Sequence, residues 1–342
     1  MCAHEHTPDG AHTLVVAVGG GSTYFRPRSV VNIGVWRICG WGFKLKAFGP
    51  ILVTGASTGI GRTVTEFLSS RGYSVFAGAR KEDDLASLSQ LPNLTTMRLD
   101  VTSPEDIQRA VDRFRSEGKG VYGLVNNAGV ADYRPLVDSS VEELYRVFNV
   151  NLYGIHRMTR ALVPFLIESH GRVVNISSIS GFLTPRFFGA YSISKHAVEA
   201  YSDTLREELN QFGVKVSAVE PGNFRSNITA NFLPFLKKDE LLSQSRYREE
   251  LTKDMSVIES PEESYGTKYP TPERVAEAVL HALFSENPKS RYLVGNKEEA
   301  VWVIEKIMST LQQVNHDHEH SLSRQEIIEM LGAYLADERP QS

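Results

Sequence analysis

The sequence predicts an α/β protein with a single domain, in which about seven mostly parallel strands form a doubly wound sheet. From Pro50 onward, short apolar runs alternate with segments whose apolar residues recur every three or four positions, as in successive βαβ units. Of the 342 residues, 41% are hydrophobic and 23% are charged. This composition is typical of an ordinary globular protein and excludes a disordered chain.

Seven apolar runs carry the sheet prediction, and helical patterns separate most of them. We predict strands over residues 51–54, 74–79, 94–100, 123–126, 172–177, 215–220 and 291–294. We predict helices over residues 63–70, 104–115, 141–170, 191–212 and 271–284. After residue 294 the alternation stops, and one apolar helical face follows over residues 298–314. Ser323 and Glu326 then form a capping-box pattern, which predicts a second helix ending at Leu335.

These boundaries divide the chain into three parts. We predict a weakly ordered extension over 1–49, the α/β domain over 50–296, and a helical extension over 297–342 that packs on the domain or on a partner. Residues 29–48 are the most apolar stretch of the first part, but basic residues and glycines interrupt them, so we expect no spanning helix. Aromatic residues beside these basic residues leave peripheral membrane contact open. We expect a cytoplasmic protein.

Charge and cysteine content exclude two further classes of protein. The formal net charge is −4, which is not the basic footprint of a nucleic-acid-binding protein. Cys2 and Cys39 both lie within the first part of the chain and cannot cross-link a fold of this length, which excludes a secreted disulfide framework. His316, His318 and His320 alternate between two predicted helices, where we interpret them as a solvated linker and expect no metal site.

A glycine motif follows the first predicted strand and opens a helix, which is the context of a phosphate-binding loop. Glycines let the backbone approach a pyrophosphate, and the helix N-terminus supplies unpaired N–H groups. We therefore predict that this loop binds a nucleotide cofactor through Thr54, Gly55, Ser57, Thr58, Gly59, Ile60 and Gly61. A similar run over residues 15–22 lacks a following amphipathic helix, because Pro27 and Gly34 intervene, and we do not expect it to bind phosphate.

Three further strand ends fit a dinucleotide. Asp100 and Val101 end the third strand, where a carboxylate can accept a hydrogen bond from an adenine amino group. The small residues Asn127, Ala128 and Gly129 end the fourth and leave room for a ribose and a nicotinamide. The second strand ends in Ala79, Arg80 and Lys81. Arg80 or Lys81 could pair with the 2′-phosphate of NADP, which we favour over NAD. A register error of one residue would bring Glu82 to this position instead.

A tyrosine, a lysine and a serine form the candidate catalytic set. Tyr191 and Lys195 are four positions apart, so they share one face of a helix. An adjacent ammonium favours the phenolate, which leads us to expect proton exchange by Tyr191 near neutral pH. Ser178 lies 13 residues before Tyr191, where its hydroxyl can hold a substrate oxygen. Asn151, on the long helix after the fourth strand, can hold a water that relays protons from Lys195.

With these motifs together, residues 51 to about 295 resemble the short-chain dehydrogenase/reductase family. The glycine loop, Asn-Asn-Ala-Gly at 126–129, the tyrosine–lysine pair and Pro221-Gly222 stand in the family's order and spacing. Residues 195–203 and 213–224 are similar to the branch of retinol, 17β-hydroxysteroid and 3-hydroxybutyrate dehydrogenases, many of which use NAD. The resemblance implies a Rossmann fold, reversible hydride transfer between NAD(P) and an alcohol or carbonyl, and cofactor contacts from Tyr191, Lys195, Pro221 and Gly222. It also implies a homo-oligomer assembled through the helices at 141–170 and 191–212.

The segment 223–269 follows the sixth strand, and we expect it to cover the cofactor opening as a substrate lid. Its apolar residues predict a steroid, retinoid or lipid alcohol as the substrate: Phe224, Ile228, Phe232, Leu233, Phe235, Leu236, Leu241, Leu242, Tyr247, Met255 and Ile258. Phe182, Leu183, Phe187 and Phe188 flank the same opening. Packing of this segment on its own domain or on a dimer mate is an open alternative. Arg186, Arg225 and Lys237 keep a small hydroxy acid open as well.

Two other functions are compatible with these residues. An epimerase or dehydratase on the same fold would keep the tyrosine and the lysine, although the three-residue spacing in the glycine loop favours an oxidoreductase. A nucleotide sensor would bind the cofactor without turnover, and the intact catalytic set argues against it.

Overall fold

The computed structural model of the protein describes residues 48–225, 245–259 and 269–336, together with three short strands before residue 25. Residues up to Lys46 form one compact unit and residues from Ala47 onward form another. In the first unit, β1 (His4–His6), β2 (His12–Val18) and β3 (Gly21–Tyr24) form an antiparallel sheet with β2 in the middle. Gly21, which follows β2 in the glycine-rich run, begins β3.

The second unit is built on a seven-stranded parallel sheet, as predicted. Its strands are β4 (Ile51–Thr54), β5 (Val75–Ala79), β6 (Leu94–Arg98), β7 (Gly123–Asn126), β8 (Arg172–Ile176), β9 (Lys215–Pro221) and β10 (Arg291–Val294). Their order across the sheet is β10-β9-β8-β7-β4-β5-β6. The chain moves from β4 to one edge, then crosses to β7 and moves to the other edge. Strands β4 and β7 are therefore neighbours whose following loops diverge, and such a switch point is where α/β sheets bind ligands.

Helices cover both faces of this sheet. The helices of this unit are α1 (Gly59–Ser70), α2 (Glu82–Leu88), α3 (Pro104–Glu117), α4 (Val141–Asn151), α5 (Tyr153–Ser169), α6 (Gly189–Asn210), α7 (Arg248–Glu259), α8 (Glu273–Phe284), α9 (Lys297–Val314) and α10 (Arg324–Leu335). Because side chains alternate along a strand, Ile51 and Val53 join a core with α1, α2 and α8, whereas Leu52 joins the opposite core with α3, α5 and α6. The sheet is thus buried on both faces, as its apolar strands predict.

Two differences from the predicted helices affect the site. The helix predicted over 141–170 is interrupted at Leu152, between α4 and α5. The interruption follows Asn151, whose side chain is bound to the backbone of Val130. The prediction also omitted α2, a short helix whose first turn holds three acidic residues beginning with Glu82.

The last two helices follow β10. Helix α9 begins at a capping box formed by Asn296 and Glu299, and α10 at the predicted box of Ser323 and Glu326. Among residues 297–336, Glu299 and Val303 are buried. No helix within the described ranges has the length and apolar character needed to cross a membrane. The assignment of 1–49 and 297–342 as extensions remains a prediction.

Candidate active site

A cavity of about 510 Å³ opens at the carboxyl ends of the central strands. Its volume lies in the usual range for small-molecule and cofactor sites. Loops that follow β4, β5, β6, β7, β8 and β9 line it, together with side chains from α6 and α9. The cavity therefore brings together most of the residues that the sequence singled out, although they are distributed over 170 positions from Gly55 to Phe224.

The glycine loop forms one wall of this cavity. Gly55 and Gly59 have φ angles of 64° and 54°, a left-handed conformation that glycine adopts without strain. Gly61 packs so closely that a Cβ there would lie 2.2 Å from the Gly55 carbonyl oxygen and 2.3 Å from Asn127 Nδ2. The spacing of the motif thus has direct causes: two glycines turn the chain and the third lets α1 pack against the loop after β7.

Thr54 is the one predicted cofactor residue that does not line the cavity. It lies beneath the loop, where its hydroxyl oxygen accepts hydrogen bonds from the backbone N–H groups of Asn127 and Ala128 at 3.0 and 3.1 Å. The Asn127 side chain binds the glycine loop in turn, since its Nδ2 donates hydrogen bonds to the carbonyl oxygens of Thr54 and Gly55, each at 3.0 Å. Thr54 therefore positions the binding loop and does not itself line the cofactor space.

The start of α1 fits a phosphate group. Thr58, the residue that caps this helix, makes no side-chain capping bond, and the first turn contains no acidic residue. Thr58, Gly59, Ile60 and Gly61 line the cavity at the start of α1. The first N–H groups of this 12-residue helix therefore lie where an anion would bind. The residues of this wall fit the pyrophosphate of a dinucleotide.

The ends of β5 and β6 form the adenosine side that the sequence predicts. Ala79, Arg80, Asp100 and Val101 line the cavity there. Asp100 Oδ1 accepts hydrogen bonds from the N–H and hydroxyl groups of Thr102, and Oδ2 lies 4.0 Å from Arg80 Nη1. Asp100 thus also shapes the turn after the strand, the alternative role for such a residue. Glu82 begins α2 and is not among the lining residues.

Ser178, Tyr191 and Lys195 meet on the opposite wall. Ser178 follows β8, and its hydroxyl accepts a hydrogen bond from the N–H of Ser180 at 3.1 Å. Tyr191 and Lys195 lie one turn apart on α6, with Lys195 Nζ 5.6 Å from the centre of the tyrosine ring. Lys195 is only 4% exposed and donates a hydrogen bond to the carbonyl oxygen of Ile176 at 2.8 Å. The three polar groups therefore face one space beside the glycine loop.

Burial dominates the acid–base properties of this wall. It raises the pKa of Tyr191 to about 12, although a hydrogen bond from Ser178 acts in the opposite direction. It also lowers the pKa of Lys195 to about 8, against the attraction of Glu199. We expected the lysine to lower the pKa of the tyrosine, but that pKa is raised because the phenol loses water. The phenol is therefore protonated at neutral pH.

Asn151 ends α4 and is completely buried. Its Oδ1 accepts from the N–H of Val130 at 2.8 Å, and its Nδ2 donates to the Val130 carbonyl and to the Ser194 hydroxyl, each at 2.9 Å. The side chain thus joins the loop after β7 to α6, and it is not among the lining residues. Both of its amide protons are engaged, so the side chain braces these elements, and its role in holding a water remains a prediction.

A partly buried charge cluster lies near Lys195. The Arg291 guanidinium contacts the carboxylates of Glu199, Asp203 and Glu220. Burial, together with the neighbouring Glu199, raises the pKa of Glu220 to about 8. Sequence analysis missed this cluster because its members come from α6, β9 and β10, and no local spacing connects them.

Apolar residues line the mouth of the cavity beyond Tyr191. They are Leu183, Pro185, Phe188, Phe224, Tyr269 and Trp302. Leu183, Phe188 and Phe224 were predicted for this role, whereas Tyr269 ends the predicted lid and Trp302 lies in the predicted C-terminal extension. The N–H of Arg225 donates to the Pro270 carbonyl at 2.9 Å, so Arg225 and Pro270 lie next to each other.

The other predicted lid residues divide into two groups. Phe187, Tyr247 and Met255 do not line the cavity, but they pack with Leu251 in a small core that includes the lining residues Phe188 and Tyr191. Phe182 lies under the Arg291 guanidinium, and Arg186 forms an exposed ion pair with Glu250. Arg225 is exposed and is not among the lining residues. Ile228, Phe232, Leu233, Phe235, Leu236, Lys237, Leu241 and Leu242 lie outside the described residues, as does the side chain of Ile258.

The remaining predicted site residues, Pro221 and Gly222, line the cavity at the end of β9. Sequence reasoning did not identify their neighbour Asn223 or the buried Glu299 that binds it. The sequence offers one signal for Glu299, the capping-box pattern that it forms with Asn296. This pattern indicates where a helix starts, but it does not indicate that Glu299 also binds Asn223.

Comparison with known proteins agrees with this geometry. Residues 50–236 match the family model described as short chain dehydrogenase. The chain is 36% identical to the mitochondrial D-beta-hydroxybutyrate dehydrogenase of Rattus norvegicus, over 71% of this chain and 75% of the relative. It is 35% identical to 17-beta-hydroxysteroid dehydrogenase type 6 of Bos taurus and 33% identical to retinol dehydrogenase 16 of Homo sapiens, in each case over 72% of this chain and 80% of the relative.

Solved structures give the same result. A short-chain dehydrogenase from Streptomyces avermitilis superposes with a TM-score of 0.63 at 29% identity, over 79% of this chain and 95% of that structure. The closed form of a serine dehydrogenase complexed with NADP+ superposes with a TM-score of 0.59 at 27% identity, over 72% and 94%. This chain therefore belongs to the short-chain dehydrogenase/reductase family, in the branch of the hydroxybutyrate, retinol and 17β-hydroxysteroid dehydrogenases, and is an oxidoreductase.

Proposed function

We propose that the protein interconverts a secondary alcohol and a ketone, or an alcohol and an aldehyde, with NAD(P) and with Tyr191 as the general acid and base. One observation carries this proposal: Ser178, Tyr191 and Lys195 face the glycine loop across a single cavity. A nicotinamide cofactor bound along that loop would supply or accept the hydride. The chain's own residues would hold the reacting oxygen and move its proton.

In the direction of carbonyl reduction, the Tyr191 hydroxyl donates its proton to the substrate oxygen as negative charge develops there. The Ser178 hydroxyl donates a hydrogen bond to the same oxygen. The Lys195 ammonium, held by the Ile176 carbonyl, stabilises the phenolate that remains. In alcohol oxidation, each of these proton movements is reversed. The protonated state of Tyr191 supports this division of roles.

An apolar substrate of some size fits the mouth of the cavity best. Leucine, proline and aromatic side chains line it, and the cations among the described lining residues are Lys195, which belongs to the catalytic wall, and Arg80, which lies on the adenosine side. A small hydroxy acid would need a cationic anchor near Tyr191. The names of the retinol and 17-beta-hydroxysteroid dehydrogenase relatives support the apolar class.

Replacing Tyr191 with phenylalanine tests the mechanism. This variant removes the proton donor and keeps the ring, so cofactor affinity should stay within about twofold and kcat should fall by at least about a hundredfold. Turnover should be followed by NAD(P)H absorbance with steroid, retinoid, aliphatic and hydroxy-acid substrates. Tyr201→Phe, on the same helix, is the control. Turnover by Tyr191→Phe at the wild-type rate would contradict the mechanism, and cofactor binding with no turnover by the wild type would favour a sensor.

NADP is the cofactor that we favour over NAD. Ala79 offers no carboxylate for a ribose hydroxyl, and the exposed guanidinium of Arg80 lines the cavity beside it. In Arg80→Ala, the ratio of kcat/KM for NADP to that for NAD should fall at least about tenfold. Lys81→Ala is a matched control, because Lys81 is the next residue and does not line the cavity. An unchanged ratio in Arg80→Ala would exclude Arg80 as the determinant.

A homo-oligomer formed through α4, α5 and α6 is a separate part of the proposal. Tyr145, Tyr153 and Ile193 are exposed on these helices, which supports an interface there. Light scattering coupled to gel filtration should give a mass of at least twice 38.1 kDa. Tyr153→Glu should lower that mass if these helices form the interface, whereas a wild-type monomer would contradict the assembly.

A further inference from the structure

Helix α9 starts beside the catalytic cavity. Strand β10 pairs with β9 so that Val294 lies opposite Pro221, and the N–H of Gly222 donates to the Val294 carbonyl at 2.7 Å. The turn after β10 therefore lies next to the turn over 221–223 that lines the cavity. The helix that follows this turn begins outside the residues that match the family model.

Glu299 connects this helix to the cavity wall. Its Oε1 accepts hydrogen bonds from the backbone N–H and the side-chain amide of Asn223, each at 2.8 Å. Its Oε2 accepts from the N–H of Asn296 at 2.9 Å. The carboxylate packs on Gly222, where a Cβ would lie 2.3 Å from Oε2, and Glu299 is only 3% exposed. A buried carboxylate held by three N–H donors fixes the relative position of the two turns.

Capping the helix does not by itself require this arrangement. In a capping box, the glutamate side chain accepts from the N-cap backbone N–H, and here Oε2 does so. The two bonds from Asn223 are additional, and they join α9 to a residue that lines the cavity. Glu299 therefore has a second task that Asn296, the N-cap residue, does not share.

Trp302 lies one turn further along α9. Three positions separate it from Glu299, so both side chains lie on neighbouring parts of the same helix face. Trp302 lines the cavity and is 42% exposed, which places its ring at the mouth. Val303, beside it, is buried and anchors this turn to the domain.

We propose that the first two turns of α9 belong to the active site, with Glu299 as a positioning residue and Trp302 as the residue that selects bulky apolar substrates. Glu299 holds the turn over 221–223 in the shape that receives the cofactor. Trp302 supplies apolar contact that a small substrate would not reach. This inference rests on the proposed function and adds to it a determinant of substrate size.

Substitutions of Trp302 test the selection of substrates. We would compare a small and a bulky apolar ketone in Trp302→Ala, Trp302→Phe and the control Ile304→Ala, which alters an exposed residue of α9 that does not line the cavity. Loss of the ring should raise KM for the bulky ketone about tenfold, because burial of such a side chain contributes that much. In Trp302→Ala, KM for the small ketone should rise less than KM for the bulky ketone, and Trp302→Phe should retain most of the affinity for the bulky ketone. Ile304→Ala should leave both KM values within about twofold of wild type.

Substitutions of Glu299 test the positioning role. In Glu299→Ala, the Kd for NADPH, measured by nucleotide fluorescence, should rise about tenfold, whereas Glu299→Gln keeps one oxygen acceptor for Asn223 and should stay within about threefold. Asn296→Ala removes the helix cap alone, so it should lower Tm without changing Kd. The exposed neighbour Glu298→Gln should change neither quantity.

Equal Kd values for wild type and Glu299→Ala, or equal Kd changes in Glu299→Ala and Asn296→Ala, would overturn the positioning role. Equal KM values for the bulky ketone in wild type and Trp302→Ala would overturn the selection. A wild-type chain that binds neither NADPH nor NADH would overturn the proposed function and this inference with it. Wild-type binding and turnover together with unchanged variants would overturn the inference alone.

Discussion

At the scale of single residues, the loss of water around Tyr191 and Lys195 determines their protonation. The same burial acts on groups of opposite charge, so it raises the pKa of the phenol and lowers that of the ammonium. At neutral pH, the Tyr191 phenol is protonated. Lys195 still carries most of its charge, because its pKa is about 8. This state suits proton donation to a carbonyl oxygen.

These shifts predict opposite pH dependences for the two directions of the reaction. Alcohol oxidation needs the phenol to release its proton, so kcat/KM for oxidation should rise with pH. Carbonyl reduction uses the protonated phenol, whose pKa of about 12 lies far above neutral pH, so its rate should stay level at low pH. It should fall above about pH 8, where Lys195 loses the charge that stabilises the phenolate. Initial rates between about pH 6 and pH 10 at constant ionic strength would measure both.

Lys195→Arg is the matched variant for this prediction. A guanidinium stays charged over the whole range, so the fall in reduction above pH 8 should disappear, whatever the absolute rate of the variant. Oxidation that becomes slower as pH rises would contradict the assigned roles. An unchanged fall in Lys195→Arg would show that another group titrates.

At the scale of secondary-structure elements, the cofactor wall depends on contacts between two loops that are distant in sequence. The loops after β4 and β7 are joined by Thr54 and Asn127, which exchange hydrogen bonds with each other's backbone. Gly61 packs against both loops at the start of α1. A side chain beneath the loop, without contact to the cavity, thus determines where the phosphate-binding N–H groups lie.

Substitution of Thr54 should separate positioning from binding. Thr54→Val has nearly the same shape but removes the oxygen that accepts from Asn127 and Ala128, and leaving buried N–H groups unpaired costs about 1–3 kcal/mol. We expect the free energy of unfolding in urea to fall by this amount, and the Kd for NADPH to rise. Thr54→Ser keeps the hydroxyl acceptor, so its free energy of unfolding and its Kd for NADPH should lie closer to the wild-type values than those of Thr54→Val. Equal stability of the two variants would contradict the bracing role.

Sequence patterns predict the elements of this fold far better than the contacts between them. Alternation of apolar runs was sufficient to locate β4, β7 and β10 with their observed bounds. The break between α4 and α5 was not predictable, because it depends on Asn151 reaching the backbone of Val130 across the fold. The contact of Glu299 was not predictable either, because its partner Asn223 is 76 positions away in the sequence. Local spacing identifies groups that act along one helix or loop, such as Tyr191 and Lys195.

At the scale of the whole molecule, the residues that form the site belong to the second compact unit, from Ala47 onward. That unit begins before its first strand. The Phe48 ring lies 4.7 Å from Tyr122 and 5.0 Å from Phe284, between ring centres, and Phe284 stacks on Tyr73 at 4.1 Å. Phe48 therefore closes an aromatic cluster at the end of the sheet opposite the cavity, where β4 begins and α8 ends.

Two truncations test where the working unit begins. A chain that starts at Ala47 retains Phe48 and every described residue that lines the cavity, so its kcat/KM and Tm should equal those of the full chain. A chain that starts at Pro50 loses the Phe48 ring, and an aromatic contact of about 1 kcal/mol corresponds to a Tm lower by about 2–4 °C. Phe48→Ala in the full chain should reproduce that shift without changing activity, because the cluster lies away from the site. Loss of activity in the chain that starts at Ala47 would instead show that residues 1–46 contribute to the function.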